Sequence, residues 1–129
     1  MKAVVLHNHG DIEALTFKDI PDPKCKPSKV KIQIKASSIN HLDLWVRNGL
    51  PSIKIPFPRI LGSDGSGTII EVGSNVTGWK PGDDVVIQPG TFCKKCIQCK
   101  TGNENYCDQY GILGETENGV QAEYIVIDP

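Results

Sequence analysis

The chain has 129 residues, enough for one domain that buries roughly two-thirds of its unfolded surface. Its 39% hydrophobic and 22% charged residues are ordinary for a globular protein, and a formal net charge of −1 with no basic stripe argues against a nucleic-acid partner. Its longest apolar runs, such as Ala3-Val4-Val5-Leu6, fall far short of the ~20 residues that span a membrane, so a soluble, cytoplasmic protein is expected.

The 13 glycines and 9 prolines are spread along the chain and cut it into short segments of strand character, with no internal repeat. Lys2 to His7 is a first β-branched run, and Leu15 to Ile20 a second, alternating Leu15, Phe17 and Asp19 with Thr16, Lys18 and Ile20. Val30, Ile32, Ile34 and Ala36 alternate with Lys31, Gln33 and Lys35, the pattern of a half-buried strand. Asn40 to Asn48 predicts a short helix, with Leu42, Trp45 and Val46 apolar and Gly49 as its stop. Trp45 and Trp79 are expected to anchor the core. Thr68 to Val72 and Asp84 to Gln88 predict further strands, joined through Gly73-Ser74-Asn75 and Lys80-Pro81-Gly82. A final strand, Val120 to Ile127, follows the Asn118-Gly119 turn signal. Many strands, one short helix and frequent turns predict a mostly-β, barrel-like core.

Between the last two strands lie Cys93, Cys96, Cys99 and Cys107, spaced C-x2-C-x2-C-x7-C. Each C-x2-C step lets two thiolates curl around one ion, and the longer gap gives the fourth room to complete a tetrahedron. Four sulfurs at roughly 2.3 Å leave Zn²⁺ no position for water or substrate, so such a site is structural. The lobe from Thr91 to Tyr110 has few apolar residues of its own, and metal binding and local folding are expected to be one event. Disulfides would need an oxidising compartment, and the opening residues hold no signal-peptide core. Iron–sulfur ligation also uses thiolates, but the bacterial run places its last Cys three residues on and before Pro, where this chain has a gap of seven and Asp108. With Zn(Cys)₄ counted, the formal charge becomes −1 − 4 + 2 = −3, which Lys94, Lys95 and Lys100 are placed to offset. Cys25, in a proline-rich turn, reads as a bystander, and His7 and His9 form an H-x-H pair without a third ligand.

Taken jointly, the motifs resemble the medium-chain dehydrogenase/reductase superfamily, which includes zinc alcohol dehydrogenases and quinone reductases. Lys2-Ala3-Val4-Val5 with Gly10 and Leu15 is similar to the quinone-reductase branch, as are Ser38-Ile39-Asn40-His41-Leu42-Asp43 and Arg47-Asn48-Gly49. Leu61-Gly62-Ser63-Asp64-Gly65-Ser66-Gly67, Val72-Gly73 and Pro81-Gly82-Asp83-Asp84-Val85 resemble the superfamily's long central signature. The likeness spans residues 1–129, but only as that family's N-terminal domain. It implies a GroES-like, partly open β-barrel with one or two short helices and a zinc lobe at 91–110, the Rossmann domain being absent.

The departures from the family pattern bear on function. Members with a catalytic zinc have Cys where this chain has Asn40, and His-Glu where it has Ser63-Asp64, while the Ser/Thr proton relay falls on Leu42. An amide and a hydroxyl are poor Zn²⁺ ligands. Asn40, Ser63 and Asp64 therefore read as a metal-free substrate pocket, as hydrogen-bonding residues at strand and helix ends, or as a residual metal site. The resemblance places His41 where relatives carry a basic residue near the cofactor diphosphate, and Asp43 on the pocket wall. Gly62-Ser63-Asp64-Gly65-Ser66-Gly67 is not a dinucleotide fingerprint, because it leads into the β-run Thr68-Ile69-Ile70.

Two functions follow. The first is the N-terminal domain of an NAD(P)-dependent, alcohol dehydrogenase-like or quinone reductase-like oxidoreductase, acting on an alcohol, carbonyl or quinone once a Rossmann domain is supplied. The second is a stand-alone or truncated zinc-stabilised binding or assembly module. In either case the chain by itself is expected to be inactive and not to hold NAD(P), and the apolar surface it exposes predicts a homo-oligomer.

Overall fold

The computed structural model describes residues 1–51 and 53–129. Two antiparallel sheets form the body. The first has the order β2-β1-β4, built from β1 (Lys2–Leu6), β2 (Leu15–Asp19) and β4 (Arg59–Ile60). The second has the order β6-β5-β3-β9, built from β3 (Val30–Ser37), β5 (Gly65–Val72), β6 (Asp84–Ile87) and β9 (Tyr124–Ile127). Helix α1 (His41–Asn48) follows β3, and a small ribbon of β7 (Gly90–Thr91) and β8 (Gly111–Ile112) brackets the cysteine lobe with its short helix α2 (Ile97–Lys100).

The alternation read in β3 is the one that builds the core. Val30 and Ile32 point inward and pack with Ile69, Ile87, Leu113, Val120 and Ile125, while Lys31 and Gln33 lie on the other face. Each buried Val or Ile contributes about 1.5–3 kcal/mol. Irregular register at Lys31/Ile32 and Ile34/Ala36 bends β3 along its pairing with β5, which lets an open sheet curl toward a barrel. A second cluster, Leu6, Val46, Ile55 and Leu61, seats α1 against the first sheet.

Three expectations need correction. Strand β5 begins at Gly65 and not at Thr68, because Gly65 and Gly67 give no β-branched signal yet pair with Ser37 and Ile34. At Gly67 a Cβ would collide with the Gln33 carbonyl, so the close approach of β3 and β5 requires glycine. The last predicted strand divides in two. From Gly119 to Gln121 its backbone bonds to Ile60, Leu61 and Gly62, and only Tyr124–Ile127 pairs with β3. Trp45 and Trp79 are not core anchors: they are 52% and 42% exposed, one on the outer side of α1 beside His41 and the other in the loop before β6. Their apolar character was legible, but the direction of each side chain is set by tertiary position.

A Gly67→Ala change should lower stability by about 2–3 kcal/mol, since neither backbone can yield without breaking the β3–β5 pairing. Urea denaturation followed by circular dichroism measures this as a lower midpoint at unchanged slope.

Candidate metal centre and polar cluster

The lobe brings together all four cysteines the spacing singled out. The sulfurs of Cys93, Cys96, Cys99 and Cys107 lie within 4.8 Å of one another. Cys93 and Cys99 are 3.8 Å apart and Cys96 and Cys99 3.4 Å. Around a tetrahedral ion with Zn–S near 2.3 Å, neighbouring sulfurs stand about 3.8 Å apart, so this donor set fits Zn²⁺ with little adjustment.

Local backbone explains the convergence. Lys94 holds the left-handed conformation at φ 59°, which turns the chain so that the Cys96 N–H points back at the Cys93 sulfur, 3.3 Å away. The Cys99 N–H donates to Cys96 Sγ at 3.5 Å and the Gln109 N–H to Cys107 Sγ at 3.3 Å. Backbone donation from Lys95 and Cys96 brings the Cys93 thiol down to about 6, below the ordinary thiol range. Desolvation, aided by hydrogen bonds from Cys96, Cys107 and Cys93, pushes Cys99 up to about 12. The metal-free lobe thus presents a ready thiolate at Cys93, and a metal would displace the protons that the other thiols share. Cys107 is buried, while Ile97 and Tyr106 in the same lobe are 70% and 68% exposed, so the lobe has almost no apolar core of its own.

A second group of side chains meets where α1 begins. The Asn40 amide Nδ2 donates to Asp64 Oδ2 at 2.8 Å, to Ser63 Oγ at 3.3 Å and to Ser38 Oγ at 3.4 Å. Ser38 Oγ also donates to Asp64 Oδ2, at 3.3 Å. Ser63 is buried and Asp64 exposed, so the cluster reaches from the interior to solvent.

Asp43 sets this geometry. Its carboxylate is 5% exposed and accepts the Asn40 N–H at 2.8 Å through Oδ2 and the Gly62 N–H at 2.8 Å through Oδ1. One carboxylate thereby caps the helix start and ties it to the loop that carries Ser63 and Asp64. Sequence reading credited Asp43 with less than this and left out Ser38. The Asn40-x2-Asp43 spacing was the available signal, being that of an N-cap with an acidic residue at the third helical position. His41 is exposed on the first turn of α1, its ring 5.4 Å from that of Trp45. His9 is occupied structurally, with Nδ1 3.0 Å from the Val46 carbonyl and its ring edge-on to Phe57. The glycine-containing run 62–67 enters β5 and not a helix.

Residues 26–129 match the alcohol dehydrogenase GroES-like domain family. An NAD-dependent alcohol dehydrogenase of Sulfolobus acidocaldarius is 35% identical over 132 residues, covering 98% of this chain and 38% of that protein. A crystal structure of an NAD-dependent alcohol dehydrogenase is 47% identical with a TM-score of 0.94, over 99% of this chain and 37% of the other. The cobalt- and zinc-bound thermostable alcohol dehydrogenase of Pyrobaculum aerophilum is 35% identical with a TM-score of 0.90, over 99% and 39%. The chain therefore spans less than two-fifths of the length of the relatives it matches.

Asp43→Ala should cost about 2–4 kcal/mol, because it leaves one buried and one partly buried N–H group without acceptors, whereas Asp43→Asn keeps one acceptor and costs less. Thermal unfolding of the two variants against the parent gives the order. Lys94→Gly should leave metal binding intact or improve it slightly, since glycine adopts the left-handed turn without cost; metal titration against a chelating dye reads this.

Proposed function

This chain belongs to the alcohol dehydrogenase GroES-like domain family, and we propose that it is the zinc-stabilised, substrate-side domain of an NAD(P)-dependent oxidoreductase that works without a catalytic zinc. The observation that carries this reading is the Asn40 Nδ2–Ser63 Oγ contact at 3.3 Å, an amide and a hydroxyl where zinc-dependent members of the resembled superfamily place thiolate and imidazole, with Asp64 Oδ2 holding the amide at 2.8 Å. Neither the amide nor the Ser63 hydroxyl competes for Zn²⁺. The four-sulfur lobe has the closed donor set of a structural site, and Cys93, Cys96, Cys99 and Cys107 would hold one zinc there. Thiolates kept for a metal suit a reducing compartment such as the cytoplasm. Among the described residues no helix is long and apolar enough to cross a membrane.

A nicotinamide cofactor, once bound in the complete protein, supplies the hydride. The residues of this chain bind and polarise the acceptor. Asn40 Nδ2 and Ser63 Oγ are adjacent donors that can turn to a carbonyl oxygen, and Asp64, exposed at the outer end of the cluster, holds the amide in orientation. Neutral donors polarise less strongly than a metal ion, which favours an activated acceptor, a quinone or enone, over oxidation of a simple alcohol. His41, exposed on the same turn, would meet the cofactor diphosphate, and the apolar side chains left in solvent around Ile39 and Trp45 favour a homo-oligomer.

Purified protein should carry one zinc per chain. Chelation, or Cys96→Ser, should release it and disorder residues 91–110 while the β core keeps its amide protection in hydrogen exchange. Iron in place of zinc, or less than half an equivalent of metal, would sink the structural-zinc assignment. In the protein encoded by the complete gene, Asn40→Ala and Ser63→Ala should each lower kcat/KM for quinone or enone reduction by roughly 10–100-fold at unchanged zinc content. Rates equal to the parent's would remove these residues from the acceptor site.

A further inference from the structure

Arg59 raises a question that neither the metal lobe nor the polar cluster answers. It lies on β4, paired across to Leu6, and only 7% of the residue is exposed. Its Nε is buried without a hydrogen-bond acceptor, its Nη1 makes one long contact of 3.5 Å to Asn118 Oδ1, and none of the ion pairs among the described residues includes it. A buried guanidinium with so few acceptors is costly, and a carboxylate or phosphate is the group that its donor fork matches. Burial also holds Arg59 below its ordinary value, with the charge of Glu117 opposing.

Arg59 lines a cleft of about 380 Å³ between the start of β1, the loop at 113–119 and strand β9. Its walls include Ile60, Leu113 and Ile125, and Glu117 and Asn118 stand at its edge. Asn118 Oδ1 accepts the Ile60 N–H at 3.1 Å as well as Arg59 Nη1, which leaves its Nδ2 as a second donor. No cysteine ligand and no member of the Asn40 cluster borders this cleft.

We infer that this cleft is a binding site for a small organic monocarboxylate, its carboxyl group on Arg59 and its apolar body against Ile60, Leu113 and Ile125. A monoanion is favoured over a phosphate dianion because the Glu117 carboxylate repels the second negative charge. The apolar walls favour an acid with a hydrocarbon body over acetate.

The test is a titration of the zinc-loaded chain with sodium benzoate at constant ionic strength, following the Arg59 Nε–H resonance by ¹H–¹⁵N NMR. A saturable shift at millimolar benzoate is expected, with benzamide and inorganic phosphate binding at least about fivefold more weakly. Arg59→Lys should weaken benzoate about tenfold, having lost the planar fork, and Glu117→Gln should tighten it several-fold. Should Arg59→Lys fail to fold, the comparison of benzoate with benzamide on the unaltered chain decides alone. Equal responses to benzoate and benzamide would reduce the cleft to an apolar hollow and overturn the inference. So would the absence of any saturable shift. A resonance insensitive to benzoate that moves in Glu117→Gln would also overturn it, by showing that Glu117 is the partner of Arg59.

Discussion

The short segment from Gly119 to Ile127 holds both sheets together. Its first residues bond to the backbone of Ile60, Leu61 and Gly62, Val4 donates to the Gln121 carbonyl, and its last four residues pair with β3. One stretch of chain thereby links the sheet that carries β1 and β4 to the sheet that carries β3 and β5, and Val120, fully buried, fills the space between. Gly62 sits at the crossing with φ 92°, and a Cβ there would press on Gln121 and Val120. Without this crossing the two sheets would be separate, with unpaired edges along β3 and β1 and an uncovered apolar face.

The same crossing places the polar cluster. The loop that accepts Val120 and Gln121 carries Gly62 to Asp64, and the Gly62 N–H, turned the other way, is bound by Asp43. The position of Ser63 and Asp64 relative to Asn40 is therefore fixed from two sides, by β-type bonds and by a buried carboxylate. A cluster made of an amide, two hydroxyls and a carboxylate needs such support, because its members are short side chains whose hydrogen bonds lose value quickly with distance. Ser63 is buried while Asp64 meets solvent, so the cluster reaches from the interior to the surface.

The metal lobe works on a different principle. It hangs from the β7–β8 ribbon, contributes one buried residue, Cys107, and leaves Ile97 and Tyr106 in solvent. Its shape rests on backbone N–H groups aimed at sulfur and on the left-handed turn at Lys94, both of which direct the four thiols to one point. Hydrophobic burial stabilises the barrel, whereas ligand chemistry organises the lobe, and the two parts respond to different perturbations.

The sequence by itself determined the strand character of β1, β2, β3 and β6, a short helix within 40–48 and the four cysteines that converge in the lobe. Each of these rests on local information: alternation along a strand, an N-cap with a glycine stop, and ligand spacing within a span short enough to close on one ion. The family resemblance singled out Asn40, Ser63 and Asp64, and their side chains meet in one hydrogen-bonded cluster. What only the tertiary structure decided is which partner each segment chose and which way each side chain faced. The run from Val120 to Ile127 has uniform strand character, yet it divides between two sheets because Gly62 and β3 offer different edges along its length. Trp45 and Trp79 carry the same apolar signal as core residues, yet they stand 52% and 42% exposed, outside the clusters that hold Val46 and Ile87. Asp43 and Arg59 look like surface charges in the sequence and are both buried in the fold. Burial of a charge depends on neighbours distant along the chain, which no local pattern records.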